Sequence, residues 1–286
     1  MQRILSTYLF VKRKLTPALV ADIARSGVDA VEIFCAWGHF DYRSVDVVRE
    51  LAGALQDSNL AVHAIHSPAE RAHPTRESAV PLSISDTERV RRLEAVDEIK
   101  RVLDVAEYLP FPYMVQHMGN SRDDADARRF DAAFNALEHL RLFAKQRGVT
   151  IALENTPGEL ATPANLRQFL ADTRLTDLRL CCDTGHAHMG DGVVPSLETM
   201  RELLVTAHVH DNHGGKDEHL PPLFPSKAGM INWKAALPLL AGVPLVLELK
   251  EQPVQAEPAP ATVALAAARG GFDALERAAE AAGQQS

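Results

Sequence analysis

Short apolar or β-branched runs alternate with longer stretches whose apolar residues recur at helical spacing, and the alternation repeats eight times along the chain. The short runs predict strands near 2–9, 29–34, 60–66, 112–117, 149–154, 178–183, 205–210 and 243–248. Between them the pattern predicts helices near 16–26, 44–58, 86–108, 125–147, 162–172, 193–204 and 232–241, and a last one near 262–282. VRRLEAVDEIKRVLDVAEYL at 90–109 shows the helical spacing plainly. Thr16-Pro17 and Thr162-Pro163 each place a capping hydroxyl before a proline at the first helical position. Eight strand-then-helix units without a break point to an α/β fold, a single (β/α)8 TIM barrel over residues 1–286. An open doubly wound sheet would usually carry a Gly-rich turn after its first strand, and STYLFVKRKLTP has none. PVQAEPAPA at 253–261 reads as a connector to the C-terminal helix. The longest non-helical segments, 67–85 and 211–231, both follow strands, which places them over the C-terminal face where barrel active sites are built.

The polar residues that close these apolar runs form a set. HAIHSP ends the third strand at His66, VQHMG the fourth at His117 and TIALENTP the fifth at Glu154. LRLCCDTGHAH ends the sixth at Asp183, with His186 three residues on. The seventh strand runs into AHVHDNHGGKDEH (207–219), giving His208, His210, Asp217 and His219, and PLVLELKE ends the eighth at Glu248. A lone histidine at a strand end is usually structural, and His63, His139 and His213 read that way, as do Cys181 and Cys182 packed against the barrel wall. Convergence changes the reading, because a parallel barrel brings all its strand ends to one rim. Glu154, Asp183 and Glu248 brought together in a partly dry cavity would cost several kcal/mol each if left uncompensated. Histidines are weak counter-charges near neutral pH, so a divalent cation at this C-terminal face is the compensating partner. Mixed imidazole and carboxylate ligation suits manganese, zinc or iron, with cobalt also accommodated, better than magnesium or calcium.

Composition narrows the setting. The net charge of −8 argues against a large nucleic-acid footprint. No apolar run is long enough to span a bilayer, and MQRILSTYLFVKRK lacks the order of a secretory signal. Three cysteines imply no disulfide framework, so a cytoplasmic setting is expected. Barrels of this size often form homo-oligomers, although no unpaired apolar stripe marks an interface.

The motifs LENTP (153–157), CDTGHAH (182–188) and HVHDN followed by DEHLPP through 222 resemble the xylose-isomerase-like TIM barrels. That family includes sugar phosphate isomerases and epimerases, ketose 3-epimerases and endonuclease IV. The likeness runs from the first strand to Glu248. It implies that Glu154, Asp183, His208 and Glu248 hold one metal, the strand-seven signature His-x-x-Asp selecting His208 through Asp211, with His210 next in line. It also implies that His66, His117, His186, His210, Asp217 and His219 are further candidates for metal or substrate, as in the endonuclease branch. Two departures stand out. PPLFPSKAGMINW replaces the Gly-Glu-Gly often found after the seventh strand, and the chain lacks the Gly-Ala-His opening of the endonucleases.

The resulting expectation is a divalent-metal-dependent isomerase or epimerase of a small sugar, sugar phosphate or polyol. Glu154 and Glu248 would move a proton beside a carbonyl polarised by the cation, and His186 would orient a substrate oxygen. Phe34 and Trp37 are candidate apolar walls, and Lys216 and Lys227 candidate phosphate contacts. A lyase would use the same proton abstraction. The rival readings are a multinuclear zinc phosphodiesterase acting on abasic DNA and a metal-binding barrel without catalysis.

Overall fold

The structure, a computed structural model, describes residues 1–71, 79–222, 229–251 and 260–283. Eight strands close into a parallel barrel: β1 (Ile4–Ser6), β2 (Ala30–Phe34), β3 (Ala61–His66), β6 (Tyr113–His117), β7 (Thr150–Glu154), β8 (Arg179–Asp183), β9 (Leu204–Val209) and β10 (Leu245–Leu247). Closure comes from β1, which pairs with both β2 and β10. Each lies at the expected place to within a few residues. Two short strands, β4 (Glu70–Arg71) and β5 (Val80–Pro81), form an antiparallel hairpin over the rim. The 67–85 stretch carries no apolar alternation, so nothing in its pattern announced them.

Helices return the chain between strands: α1 (Pro17–Arg25), α2 (Val45–Asp57), α3 (Arg89–Asp104), α4 (Ala127–Lys145), α5 (Pro163–Thr173), α6 (Thr184–Met189), α7 (Val193–Met200), α8 (Trp233–Ala236) and α9 (Ala261–Gly283). The Thr16 and Thr162 hydroxyls accept from the backbone N–H of Leu19 and Asn165, as their sequence context predicts. The helix expected over 232–241 is one α-helical turn that passes into 3-10 geometry at Leu237–Leu240. Pro238 lies inside it and has no N–H to continue the ladder. Of the connector read at 253–261, residues 253–259 lie outside the described residues, as does Lys227.

Alternation along the strands sorts side chains to two faces. Leu5, Val31, Ile33, Ile65, Met114, Leu153, Leu180, Cys182, Val209 and Leu247 belong to the large core shared with the helices. Inside the barrel, Ile4, Ala30 and Val246 form one small cluster and Ala64, Val115, Ala152 and Cys181 another. Glu32, Glu154 and Asp183 each follow a residue of these clusters by two positions and so sit one layer higher. Among the described residues, no helix is long and apolar enough to cross a membrane.

Candidate metal centre

Register puts the strand-end residues side by side: His117 pairs with Glu154 across β6 and β7, and Asp183 with His208 across β8 and β9. Donor atoms of Glu154, Asp183, His208 and Glu248 all lie within 4.8 Å of one another. From Nδ1 of His208 the carboxylate oxygens stand at 3.2 Å (Glu154), 3.6 Å (Glu248) and 3.8 Å (Asp183). A second group, His186, His210, Asp217 and His219, meets the same separation, as does a third made of His66, Glu154 and His208. The groups share walls. Glu154 Oε2 faces Nε2 of both His66 (3.2 Å) and His117 (3.0 Å), while Asp183 Oδ2 faces Nε2 of His210 (3.0 Å). In the second group Asp217 Oδ2 lies 2.9 Å from Nε2 of His219, whose ring stacks on His210 with centroids 4.0 Å apart.

Local chemistry fixes these side chains. Asn155 of the LENTP motif clamps β7 to β8, its amide donating to the Asp183 carbonyl and its oxygen accepting from the Asp183 N–H. Asp183 also caps α6 through the N–H of His186 at 2.7 Å, which explains the helix that the strand-end reading did not anticipate. Nδ1 of His66, His186 and His219 each donates to a backbone carbonyl, of Ser67, Asn155 and Glu248 respectively. That leaves Nε2 of all three turned to the carboxylates. His219 takes a left-handed backbone, φ 49°, to reach this position. Asp211, the last residue of His-x-x-Asp, does not face the cluster. It accepts from the Trp233 indole at 2.8 Å and from the Ile231 N–H at 3.0 Å, anchoring the return of the long loop.

Electrostatics follow from burial and opposite charge. Burial alone would raise the carboxyls of Glu154, Asp183 and Asp217, but the imidazoles outweigh it. His186 and His210 hold Asp183 at about 2, while His208 and His117 hold Glu154 well below the carboxylate range. Asp217 is likewise lowered against burial by His186 and His219. Conversely, burial opposes charging of His186, His208, His66 and His219, yet Cys181 beside His208 and the neighbouring carboxylates around all four raise them, the first two well above the ordinary value.

These donors fit a divalent cation. Among the described residues, the ion-pair partners of Glu154, Asp183 and Glu248 are histidines alone. Asp217 Oδ1 and His210 Nδ1 are buried and have no hydrogen-bond partner among the described residues.

A cavity of about 350 Å³ opens onto the cluster, lined by Tyr8, Phe34, His66, His117, Glu154, His186, Asp217, His219 and Glu248 among others. Phe34 therefore stands where a substrate wall was expected. Trp37 does not: it is 53% exposed, beneath the Arg43 guanidinium. Lys216 is also exposed and off the cavity wall. His213 pairs with Glu218 on the same exposed loop, His63 meets Thr206 inside the barrel, and His139 faces out from α4. Two residues escaped the sequence reading. Tyr8, directly after β1, wedges between Phe34 and His219 with centroids at 4.8 and 4.9 Å. Glu32, fully buried on β2, reaches Nε2 of His208 at 3.0 Å. The available signal was a lone charge inside the apolar run AVEIF.

A family model described as the xylose isomerase-like TIM barrel matches residues 20–278. The chain belongs to that family. Among its relatives, an uncharacterised protein of Methanocaldococcus jannaschii is 28% identical over 225 residues, covering 75% of this chain and 72% of the relative. A Natronomonas pharaonis protein named a probable endonuclease 4 is 27% identical over 178 residues, covering 55% of this chain and 63% of the relative. Among solved structures, a D-tagatose 3-epimerase-like protein superposes with a TM-score of 0.78 at 21% identity, covering 100% of this chain and 99% of that one. An L-ribulose 3-epimerase superposes at 0.74 and 16% identity, covering 99% and 96%. At these identities the structural likeness speaks for the xylose isomerase-like fold.

Proposed function

We propose that the chain is a divalent-metal-dependent isomerase or epimerase of a small carbohydrate. One observation carries the reading: Glu154 and Glu248 both line the cavity, from the end of β7 and directly after β10, while Asp183 and His208 are buried behind them. Glu154, Asp183, His208 and Glu248 would hold the cation. When bound, it supplies Lewis acidity, which acidifies a C–H beside a substrate carbonyl. Glu154 and Glu248 reach the cavity from different strands, so one carboxylate takes a proton from a carbon and the other returns one to its opposite face. His208 and His117 keep Glu154 ionised, and His66 and His117 orient it through Oε2. Nε2 of His186 faces the cavity near Asp217 and orients a substrate hydroxyl. Tyr8 and Phe34 form the apolar wall and exclude water. The names of the two epimerase neighbours agree with this chemistry.

The test is exchange of a ketose C–H in deuterated water across a sugar panel, comparing the wild type with Glu154→Gln. The variant is expected to keep metal and lose at least about 10²-fold in exchange, the low end of general-base contributions. Retained exchange rules out this assignment.

The second cluster, His186, His210, Asp217 and His219, favours one further reading, a multinuclear phosphodiesterase acting on abasic DNA. Two or three equivalents of bound metal together with incision of an abasic duplex would establish it. One equivalent without incision supports the epimerase.

A further inference from the structure

Glu32 is a carboxylate in the wrong place for a barrel floor. It lies on β2, 0% exposed, two residues beyond Ala30 of the small interior cluster. Its hydrogen-bond partner is the imidazole of His208, and its other oxygen, Oε1, is buried with none among the described residues. A buried carboxylate held by one bond is costly, and an apolar residue of similar volume would serve packing at least as well. The cost has a counterpart in the orientation of His208. The other cluster histidines His66, His186 and His219 are tied through Nδ1 to backbone carbonyls and offer Nε2. His208 is reversed: Nε2 meets Glu32, and Nδ1 faces Glu154, Glu248 and Asp183.

We infer that Glu32 is the positioning residue of the centre, holding the Nε2–H of His208 so that Nδ1 is the nitrogen offered to the cation. The inference rests on the metal-holding role of the cluster proposed above. A carboxylate behind a ligating imidazole fixes the ring tautomer, stops its rotation and strengthens the opposite nitrogen as a donor. Glu32 touches neither the cavity nor a substrate, so it acts only through His208.

The test titrates the metal-stripped protein with Co²⁺ and needs no turnover. Glu32→Gln keeps an acceptor for Nε2–H but loses the charge, and should bind Co²⁺ about 10-fold more weakly. Glu32→Met loses both and should approach about 100-fold, the range measured for such partners. Glu98→Gln, a buried carboxylate paired with Arg43 and Arg101 away from the site, should bind as the wild type does. Unchanged Co²⁺ affinity in Glu32→Gln, or an equal loss in Glu98→Gln, overturns the inference and leaves the proposed function standing. A wild type that binds no Co²⁺ overturns both. Should the Glu32 variants fail to fold, nitrogen-15 spectra of histidine-labelled, Zn²⁺-loaded wild type decide the matter. A proton on Nε2 of His208 with Nδ1 ligating supports it, and ligation through Nε2 sinks it.

Discussion

Between Asp183 and His186 the backbone passes so close to an imidazole that only hydrogen fits: a Cβ on Gly185 would stand 1.9 Å from Cε1 of His210. Gly185→Ala is therefore expected to push His210 off Asp183 and to destabilise by about 1–3 kcal/mol, the usual cost of overpacking. Urea unfolding measures it, and an alanine variant as stable as the wild type would mean that His210 does not occupy this seat. The glycine itself was visible in CDTGHAH, but its partner lies 25 residues away and no local pattern could name it. The same limit governs the rest of the site. Glu154, Asp183, His208 and Glu248 were legible because each follows an apolar run and a parallel barrel must gather such ends. Glu32 was not, since it sits one layer below the rim and inside its run. Tyr8 was hidden for the opposite reason, as an aromatic within TYLF is indistinguishable from core until the 3-10 turn at Thr7–Phe10 carries it to the cavity. Trp37 was misleading because position after a strand says nothing about which way the following turn faces.

Eight strands and most of the helices could be placed because their periodicities, two and 3.6, differ and alternate without interruption. The rim connections resisted, since their geometry is set by single tertiary bonds. The clearest is the anchor from Asp211 to Trp233, supported by the Asp211–Leu220 bridge, which closes the loop that brings Asp217 and His219 to the cluster. Asp211→Ala removes acceptors from the Trp233 indole, from Ile231 and from Asn212. Bonds to a charged acceptor contribute about 1.5–3 kcal/mol each, so a loss of at least that size is expected. Tryptophan emission offers a local readout. Trp37 is half exposed and is expected to emit at long wavelength in any case, whereas Trp233 is 0% exposed, so a red shift reports release of the anchor. A variant with unshifted emission and full stability would show that the loop is held by other contacts.

At the scale of the molecule, the barrel collects an acidic rim on a chain of net charge −8 and balances it with imidazoles. Without metal, those imidazoles must be the cations, which makes stability depend on pH in a definite sense. His66, His186, His208 and His219 are raised above the ordinary 6.5. Such groups stabilise the fold fully below the unfolded value, and the contribution disappears as pH rises through the folded values. Asp183, lowered from 3.8 to about 2, and Glu154, lowered from 4.5, act in the other direction. Their contribution is present above the unfolded values and is lost as pH falls through the folded ones. The metal-free protein is thus expected to be most stable between about pH 4.5 and 6.5 and to weaken toward pH 8.5. A bound divalent cation takes over the role of the protons, which imidazoles must release to become ligands. Metal should therefore stabilise more at pH 8.5 than at pH 6, and the stabilisation at pH 8.5 is about 2.7 kcal/mol when the metal concentration exceeds the Kd there a hundredfold. Urea midpoints at the two pH values, with and without Zn²⁺, make the comparison, and proton release on Zn²⁺ addition to weakly buffered protein at pH 6 provides an independent check. A metal-free protein equally stable at both pH values would mean that the histidines do not carry the charge that balances the rim.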